Sequence, residues 1–150
     1  MSEIIVRKAT ETDIPQIAAI EAESFSDPWT ENSLLSQLSQ AFVIFLAATD
    51  EKGKILGYII GSQDGVSAFI DNIAVADSAR KQGVGTALMN EFFAELPETV
   101  CRAALEVRES NIAAQKLYSR FGFKVTGIRK NLYSFPQENG IVMTLDIKKE

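Results

Sequence analysis

The sequence of 150 residues contains no histidine and a single cysteine, Cys101. Without histidine, the serine–histidine–aspartate and cysteine–histidine mechanisms are excluded, together with most zinc sites. One cysteine cannot form an intramolecular disulfide, and a chain without disulfides fits a reducing compartment. Because no histidine is available to activate it, Cys101 is expected to be a buried, unreactive thiol rather than a nucleophile that carries an acyl group.

Long apolar runs and an excess of basic charge are also missing. No apolar stretch approaches the ~20 residues of a membrane-spanning helix, and the first segment, MSEIIVRKAT, lacks the layout of a signal peptide. Fifteen basic and twenty acidic side chains give a net charge of −5, which argues against nucleic acid and anionic membranes as partners. We therefore expect a cytoplasmic protein that binds neither, with an acidity that suits a cationic substrate.

The apolar pattern predicts one α/β domain over residues 1–150. Segments typical of strands and helices follow each other in the order β-α-α-β-β-β-α-β-α-β-β. Helices that cross between strands in the middle favour parallel pairing there, whereas the first hairpin and the last pair favour antiparallel pairing. A turn is predicted at Asn139-Gly140, a last strand over 140–148, and a β-bulge at Asp71-Asn72, where two polar residues interrupt an apolar run.

One segment between a strand and a helix, RKQGVG at residues 80–85, has the composition of an anion-binding loop. A helix N-terminus presents unpaired N–H groups at the positive end of the helix dipole, and glycine lets a ligand oxygen approach them. A turn flanked by two solvated cations is the alternative. A P-loop is excluded by Gly85-Thr86-Ala87, and a dinucleotide motif by Leu88, which stands where that motif requires a third small residue.

The order of a strand, Arg-x-x-Gly-x-Gly and a long helix resembles the GCN5-related N-acetyltransferase (GNAT) family. The segment LEVRESNIAAQKLYSRFGF, residues 105–123, is similar to the RimI-like branch, the ribosomal-protein-alanine N-acetyltransferases, as are DPWTENSL and NIAV. The resemblance implies an α/β fold with a mixed, mostly antiparallel sheet of about seven strands, helices on both faces and a splayed central strand pair. Leu132 and the following ENG depart from the pattern of the branch, close to the region that shapes the acceptor groove.

The resemblance implies an acetyl-CoA site without a metal ion. The diphosphate would lie on the glycine loop and helix start, and the pantetheine arm along the preceding strand. From the residues alone, the alternative is a buried strand, and Asn111 is a helix N-cap, a role that can coexist with a contact to the cofactor. The residues expected at the cofactor are Ile73, Ala74, Val75, Arg80, Lys81, Gln82, Gly83, Val84, Gly85, Thr86, Asn111 and Tyr118.

Two residues are expected to catalyse the transfer. Glu106, which stands between two apolar neighbours on a strand, is the candidate base for an α-amine with a pKa of about 7.7–8.0. Tyr118 is the candidate acid for the departing thiolate. The alternatives are a carboxylate that faces solvent or pairs with a lysine, and a half-buried tyrosine in the core. Trp29 and Tyr133 are expected at the acceptor, although Trp29 could equally cap the core.

The expected reaction is direct attack of an amine on the thioester of acetyl-CoA. The branch implies the N-terminal α-amine of a protein as acceptor, with alanine of a ribosomal protein as the usual case. The alternatives are a small amine or a lysine side chain as acceptor, a non-catalytic CoA-binding module, and a nucleotide-phosphate site without CoA. The sequence leaves the oligomeric state open.

Overall fold

The chain forms one seven-stranded sheet with four α-helices, in a computed structural model that describes residues 3–147. The strands are β1 Ile5–Lys8, β2 Val43–Thr49, β3 Ile55–Gln63, β4 Ser67–Val75, β5 Arg102–Arg108, β6 Lys124–Tyr133 and β7 Glu138–Asp146. The α-helices are α1 Ile14–Ser24, α2 Glu31–Gln37, α3 Val84–Ala94 and α4 Ile112–Arg120, and short 3₁₀ turns span Glu11–Asp13 and Asp77–Ala79. Within residues 3–147, none of the helices combines the length and apolarity needed to cross a membrane.

The sheet is mixed, as predicted, with the strand order β1-β2-β3-β4-β5-β7-β6. Strands β4 and β5 run parallel, and every other neighbouring pair is antiparallel. The parallel pair is joined through α3, because parallel neighbours need a crossover connection. The α/β class and the mostly antiparallel sheet of seven strands are thereby confirmed.

Helices cover both faces of the sheet and divide the core in two. Side chains of α3 and α4, including Leu88 and Phe92, pack in one apolar cluster, and Ile17 of α1 and Leu34 of α2 lie in the other. Successive residues of β3 alternate between the clusters because side chains alternate across a strand. Each large apolar side chain that is fully buried contributes about 1.5–3 kcal/mol to folding.

The predicted β-bulge is present in β4. Ile60 of β3 pairs with Asn72, whereas the next residue, Gly61, pairs with Ile70, so Asp71 is an extra residue without a partner on β3. An extra residue reverses the faces of all the residues that follow it. Ile70 therefore lies in the cluster of α3 and α4, while the side chain of Asn72 faces α1, where it contacts Glu21.

The parallel strands β4 and β5 separate at the bulge. Their pairing runs only from Ser67 with Arg102 to Ile70 with Leu105, although both strands continue. Opposite the bulge, a Cβ atom on Gly61 would collide with the ring of Phe92 and would lie 2.6 Å from a main-chain oxygen. Glycine at this position therefore lets α3 pack closely where the sheet opens, and the expected splayed strand pair is confirmed.

Two predictions outside the site are wrong. Cys101 is exposed, because β5 begins only at the next residue and its thiol lies at the sheet margin, 3.5 Å from the carbonyl oxygen of Val66. Asn139-Gly140 is not a turn, since β7 already begins at Glu138. The turn falls at residues 134–137 instead, and Gly140 stands where a Cβ would collide with Leu132. Lys148, the end of the predicted last strand, lies outside the described residues.

Candidate active site

Two clefts meet where β4 and β5 separate. The first, of about 480 Å³, is called the acidic cleft because the carboxylates of Asp27, Asp71, Glu106 and Glu138 line it, with the buried Glu21 at its base. The second, of about 490 Å³, is called the glycine-loop cleft because Gly83 and Gly85 line it. Both clefts are lined by the same set of residues at their junction, namely Ser24, Phe25, Ile73, Asn111, Ala114 and Tyr118. A reactant in one cleft therefore meets a reactant in the other beside Tyr118.

The glycine loop has the backbone of an anion site. Gly83 precedes α3 in the left-handed region, with φ of +86°, and Lys81 also has a positive φ, of +64°. The backbone N–H groups of residues 81–86 donate no hydrogen bond to any described residue, and they lie at the positive end of the α3 dipole. The loop can therefore bind a phosphate through main-chain donors alone.

The two cations of the loop, Arg80 and Lys81, are exposed and line the glycine-loop cleft. Arg80 lies 3.1 Å from Asp77 in an ion pair whose two side chains are exposed, and such pairs contribute little to stability, so the guanidinium is free to turn to a ligand. All of the predicted cofactor residues except Gln82 line the glycine-loop cleft. The amide of Gln82 instead lies 3.4 Å from the carbonyl oxygen of Ser78.

The free edge of β4 continues the glycine-loop cleft into the sheet. Residues 72–75 pair with β3 on one side, and β5 has already left them on the other side. Ile73, Ala74 and Val75 all line the cleft. A ligand with amide groups in an extended chain can therefore pair with this edge as an added strand would.

Glu106 lies in the acidic cleft and is also paired. Its Oε2 atom is 2.8 Å from the guanidinium of Arg129, and its side chain is 20% exposed. The partner is an arginine of β6 rather than a lysine. The Oε1 atom has no hydrogen bond to the described part of the chain, so Glu106 retains an acceptor for a proton on a bound ligand.

Tyr118 lies at the junction of the two clefts, with its ring in the core. The residue is 6% exposed, and its ring packs against that of Phe123 with the centroids 6.1 Å apart. Burial raises the pKa of Tyr118 above its usual value, and nearby Tyr133 adds to the shift. The phenol therefore keeps its proton at neutral pH, while the raised pKa makes it a weaker acid toward a leaving group than a solvent-exposed tyrosine.

The expected acceptor residues line the acidic cleft on its outer side. Trp29 borders the cleft and also packs against the cluster of α1 and α2, so its role at the acceptor stays a prediction. Tyr133 borders the cleft too, with the guanidinium of Arg108 4.6 Å from its ring centroid. Arg108 also donates to Ser26 Oγ at 3.0 Å and to the carbonyl oxygen of Pro136 at 2.9 Å. It thereby joins the two loops that border the cleft.

Sequence reasoning missed the residues that hold the acidic cleft together. Glu21 had a detectable signal, because it continues the stripe of Ile14 and Ile17 on α1, where an acidic side chain is unexpected. Arg108 and Glu138 lie 3.1 Å apart but far apart in sequence, and no local pattern indicates such a pair. The carboxylates of the cleft belong to no metal-ligating group of three within residues 3–147.

The comparisons with known proteins identify the family. The model of the acetyltransferase (GNAT) family matches residues 14–123, well over half of the chain. The chain belongs to the GNAT acetyltransferase family. As a GNAT acetyltransferase it has its candidate site at the opening between β4 and β5.

Relatives of this GNAT protein show which branch of the family it resembles. A putative ribosomal protein bS18-alanine N-acetyltransferase of Bacillus subtilis is 34% identical over 148 residues, 96% of each chain. The ribosomal protein bS18-alanine N-acetyltransferase of Escherichia coli K12 is 34% identical over 91% of this chain and 93% of its own. The crystal structure of the Escherichia coli S18-alanine enzyme matches with a TM-score of 0.87 at 32% identity, over 99% and 96% of the two chains. The resemblance to this branch is confirmed, and the protein is an N-acetyltransferase.

The tyrosines give a pH-dependent prediction. Burial raises the pKa of Tyr58, Tyr118 and Tyr133, the three tyrosines of the chain. Ultraviolet difference spectra of the folded protein are expected to show little phenolate at pH ~10, where the denatured chain is about half ionised. Because the folded state holds these protons more tightly, the free energy of unfolding should fall as the pH rises above ~10 and should not change on their account below it. Half-ionisation of one tyrosine in the folded protein at pH ~10 would contradict the burial of these hydroxyls.

Proposed function

We propose that the protein transfers the acetyl group of acetyl-CoA to the N-terminal α-amine of a protein, with alanine of a ribosomal protein as the acceptor. One observation carries the proposal: an anion-binding cleft and an acidic cleft meet beside Tyr118, with Glu106 in the acidic one. The Escherichia coli relative named above is a ribosomal protein bS18-alanine N-acetyltransferase, which supports the choice of acceptor. A ribosomal substrate would place the enzyme in the cytoplasm.

The glycine-loop cleft suits the donor. Unpaired N–H groups of residues 81–86 offer donors to a diphosphate, and the free edge of β4 at Ile73–Val75 offers pairing to the amides of a pantetheine arm. The Oδ1 atom of Asn111 accepts from Ala114 N at 3.2 Å as the cap of α4, so its Nδ2 group is the part of the side chain that can donate to the cofactor. Acetyl-CoA is therefore proposed to enter along β4, with its thioester toward Tyr118.

The acidic cleft suits an amine that carries a positive charge before it reacts. Asp71 lies on β4 and Glu106 on β5, one residue beyond the last paired positions of the two separating strands. Partial burial raises the pKa of the Asp71 carboxyl group although the residue as a whole is exposed. Glu106 and Glu138 are paired with Arg129 and Arg108. Asp71 and Asp27 line the same cleft and take part in no ion pair within residues 3–147, so they are the carboxylates that would attract an ammonium ion.

The chemistry favours an α-amine over a lysine side chain. At pH 7 roughly a tenth of an α-amine with a pKa of about 7.7–8.0 is neutral, against less than about 0.1% of a lysine with a pKa of about 10.4. A single carboxylate base such as Glu106 can supply the neutral form of an α-amine at a small cost. The proposed step forms the N–C bond and breaks the C–S bond, while Glu106 takes the amine proton and Tyr118 protonates the sulfur.

The direct test incubates the protein with acetyl-CoA and a peptide that begins with alanine, followed by intact-mass and fragment analysis. Addition of one acetyl group to the α-nitrogen supports the proposal. The controls are the same peptide with a blocked N-terminus and an internal lysine, and a polyamine. Equal or faster acetylation of either control would overturn the acceptor, and thermal stabilisation by ATP equal to that by CoA would overturn the donor.

Removal of the two reacting groups should lower the rate without loss of cofactor binding. We expect Glu106→Gln and Tyr118→Phe each to lower kcat by roughly 10²-fold or more, because each removes one proton transfer. Glu109→Gln is the matched control, since it removes an exposed carboxylate three residues along the chain that does not line either cleft. Rates near that of the unchanged protein in both site variants would show that neither group transfers a proton in the reaction.

Two glycines of equal geometry test the loop. Gly83 and Gly53 both have φ of +86° and open space where a Cβ would lie, so alanine should cost about 1–2 kcal/mol of stability at either position. Only Gly83→Ala should also weaken CoA, by roughly 10-fold in Kd by calorimetry, because relief of the strain displaces the N–H groups of the loop. The same Kd for both variants would mean that the loop does not bind the cofactor.

A further inference from the structure

A carboxylate lies buried beneath the acidic cleft with only neutral partners. Glu21 of α1 is 1% exposed and takes part in none of the ion pairs of the described chain. The hydroxyl group of Tyr58 donates to its Oε1 atom. The Asn72 Nδ2 atom donates to both carboxylate oxygens, at 2.9 and 3.1 Å, and the backbone N–H of Trp29 donates to Oε2 at 3.0 Å.

Burial of the Glu21 carboxylate without a cation costs folding free energy, so its presence needs a reason other than stability. A buried charge without a cation has to be offset entirely by hydrogen bonds, and apolar residues of similar volume are often at least as stable. The apolar stripe of α1 would accept such a residue, since Ile14, Ile17 and Ile20 are buried on it. The carboxylate of Glu21 therefore has a role at this position other than filling space in the core.

The hydrogen bonds of Glu21 join three separate elements of the fold, and two of its partners, Trp29 and Asn72, line the acidic cleft. Tyr58 belongs to β3, Asn72 to the bulge of β4, and Trp29 to the loop between α1 and α2. Asn72 reaches Glu21 only because the extra residue Asp71 turns its side chain toward α1. Burial and the adjacent carboxylate raise the pKa of Tyr58, so its hydroxyl group keeps the hydrogen that it donates.

We propose that Glu21 is a positioning residue for the acceptor. It fixes the backbone of Trp29 at the edge of the acidic cleft and holds the bulge in the form that opens β4 away from β5. It acts through Trp29 and Asn72 and takes no part in proton transfer. The proposal rests on the proposed acceptor role of the acidic cleft, but not on the identity of the acceptor.

An exchange of isosteric side chains tests this role. Glu21→Gln turns an amide toward the amide of Asn72, and Asn72→Asp turns a carboxylate toward the carboxylate of Glu21. The double variant restores one amide and one carboxylate in the same volume, and the amide oxygen of the introduced glutamine can still accept from the N–H of Trp29. Each single variant should raise the acceptor KM by at least ~10-fold, with the Kd for CoA nearly unchanged, and the double variant should recover most of the loss.

A second readout needs no acceptor. Trp29 is the single tryptophan of the chain, so the quenching of its fluorescence by acrylamide reports on this loop alone. Quenching should increase in Glu21→Gln and in Asn72→Asp and return to the original level in the double variant. Tyr58→Phe removes one donor to Glu21 and retains the ring, so it should give a smaller increase in quenching. This variant provides the test if Glu21→Gln or Asn72→Asp does not fold.

Asp13→Asn is the matched control. Asp13 is also a buried carboxylate, 5% exposed, and lies just before α1 in an ion pair with Arg7 at 2.7 Å. Its removal should lower stability without a change in Trp29 quenching or in the acceptor KM. Equal effects of Asp13→Asn and Glu21→Gln, or a double variant as impaired as the singles, would overturn the proposal. If the unchanged protein acetylates no α-amine, the proposed function fails, while the quenching data still decide the role of Glu21.

Discussion

A single extra residue in a strand, Asp71, sets the geometry of the site. In a regular sheet β4 would pair with both of its neighbours along its length. Its backbone N–H and C=O groups would then all be hydrogen-bonded within the sheet. The bulge at Asp71 bends the strand and reverses its faces, and from this point β5 no longer pairs with it. The opening leaves a free strand edge and two clefts that meet beside Tyr118. The reversal of faces brings Asn72 into contact with α1.

Charge then separates the two reactants along the opening. Main-chain N–H groups at the start of α3 attract an anion without a buried cation. Carboxylates line the other end, where Glu106 and Glu138 are paired with Arg129 and Arg108, while Asp27 and Asp71 take part in no ion pair of the described residues. Under the proposed function, a positively charged amine and a negatively charged diphosphate would be drawn to different clefts, and only their reactive ends would come together. The net charge of −5 favours the same class of acceptor.

Local features could be predicted from the sequence, and long-range ones could not. The glycine loop, the bulge and the Asn111 cap each depend on residues a few positions apart, and the structure places them as predicted. The contact of Arg108 with Ser26 joins residues 82 positions apart, and that of Glu21 with Asn72 joins residues 51 apart. Asn139-Gly140 misled because an Asn-Gly pair favours a turn, whereas here β5 and β6 pair with this part of β7 from both sides and hold it extended.

The central claim is that donor and acceptor meet in the opening between β4 and β5. A crystal structure with a bisubstrate compound, in which CoA is joined to the α-nitrogen of an alanine-led peptide, tests it most directly. The account predicts the diphosphate on the N–H groups of residues 81–86, the pantetheine along Ile73–Val75, and the peptide in the acidic cleft with its α-nitrogen near Glu106. A compound bound outside this opening, or a peptide that leaves the acidic cleft empty, would contradict the account.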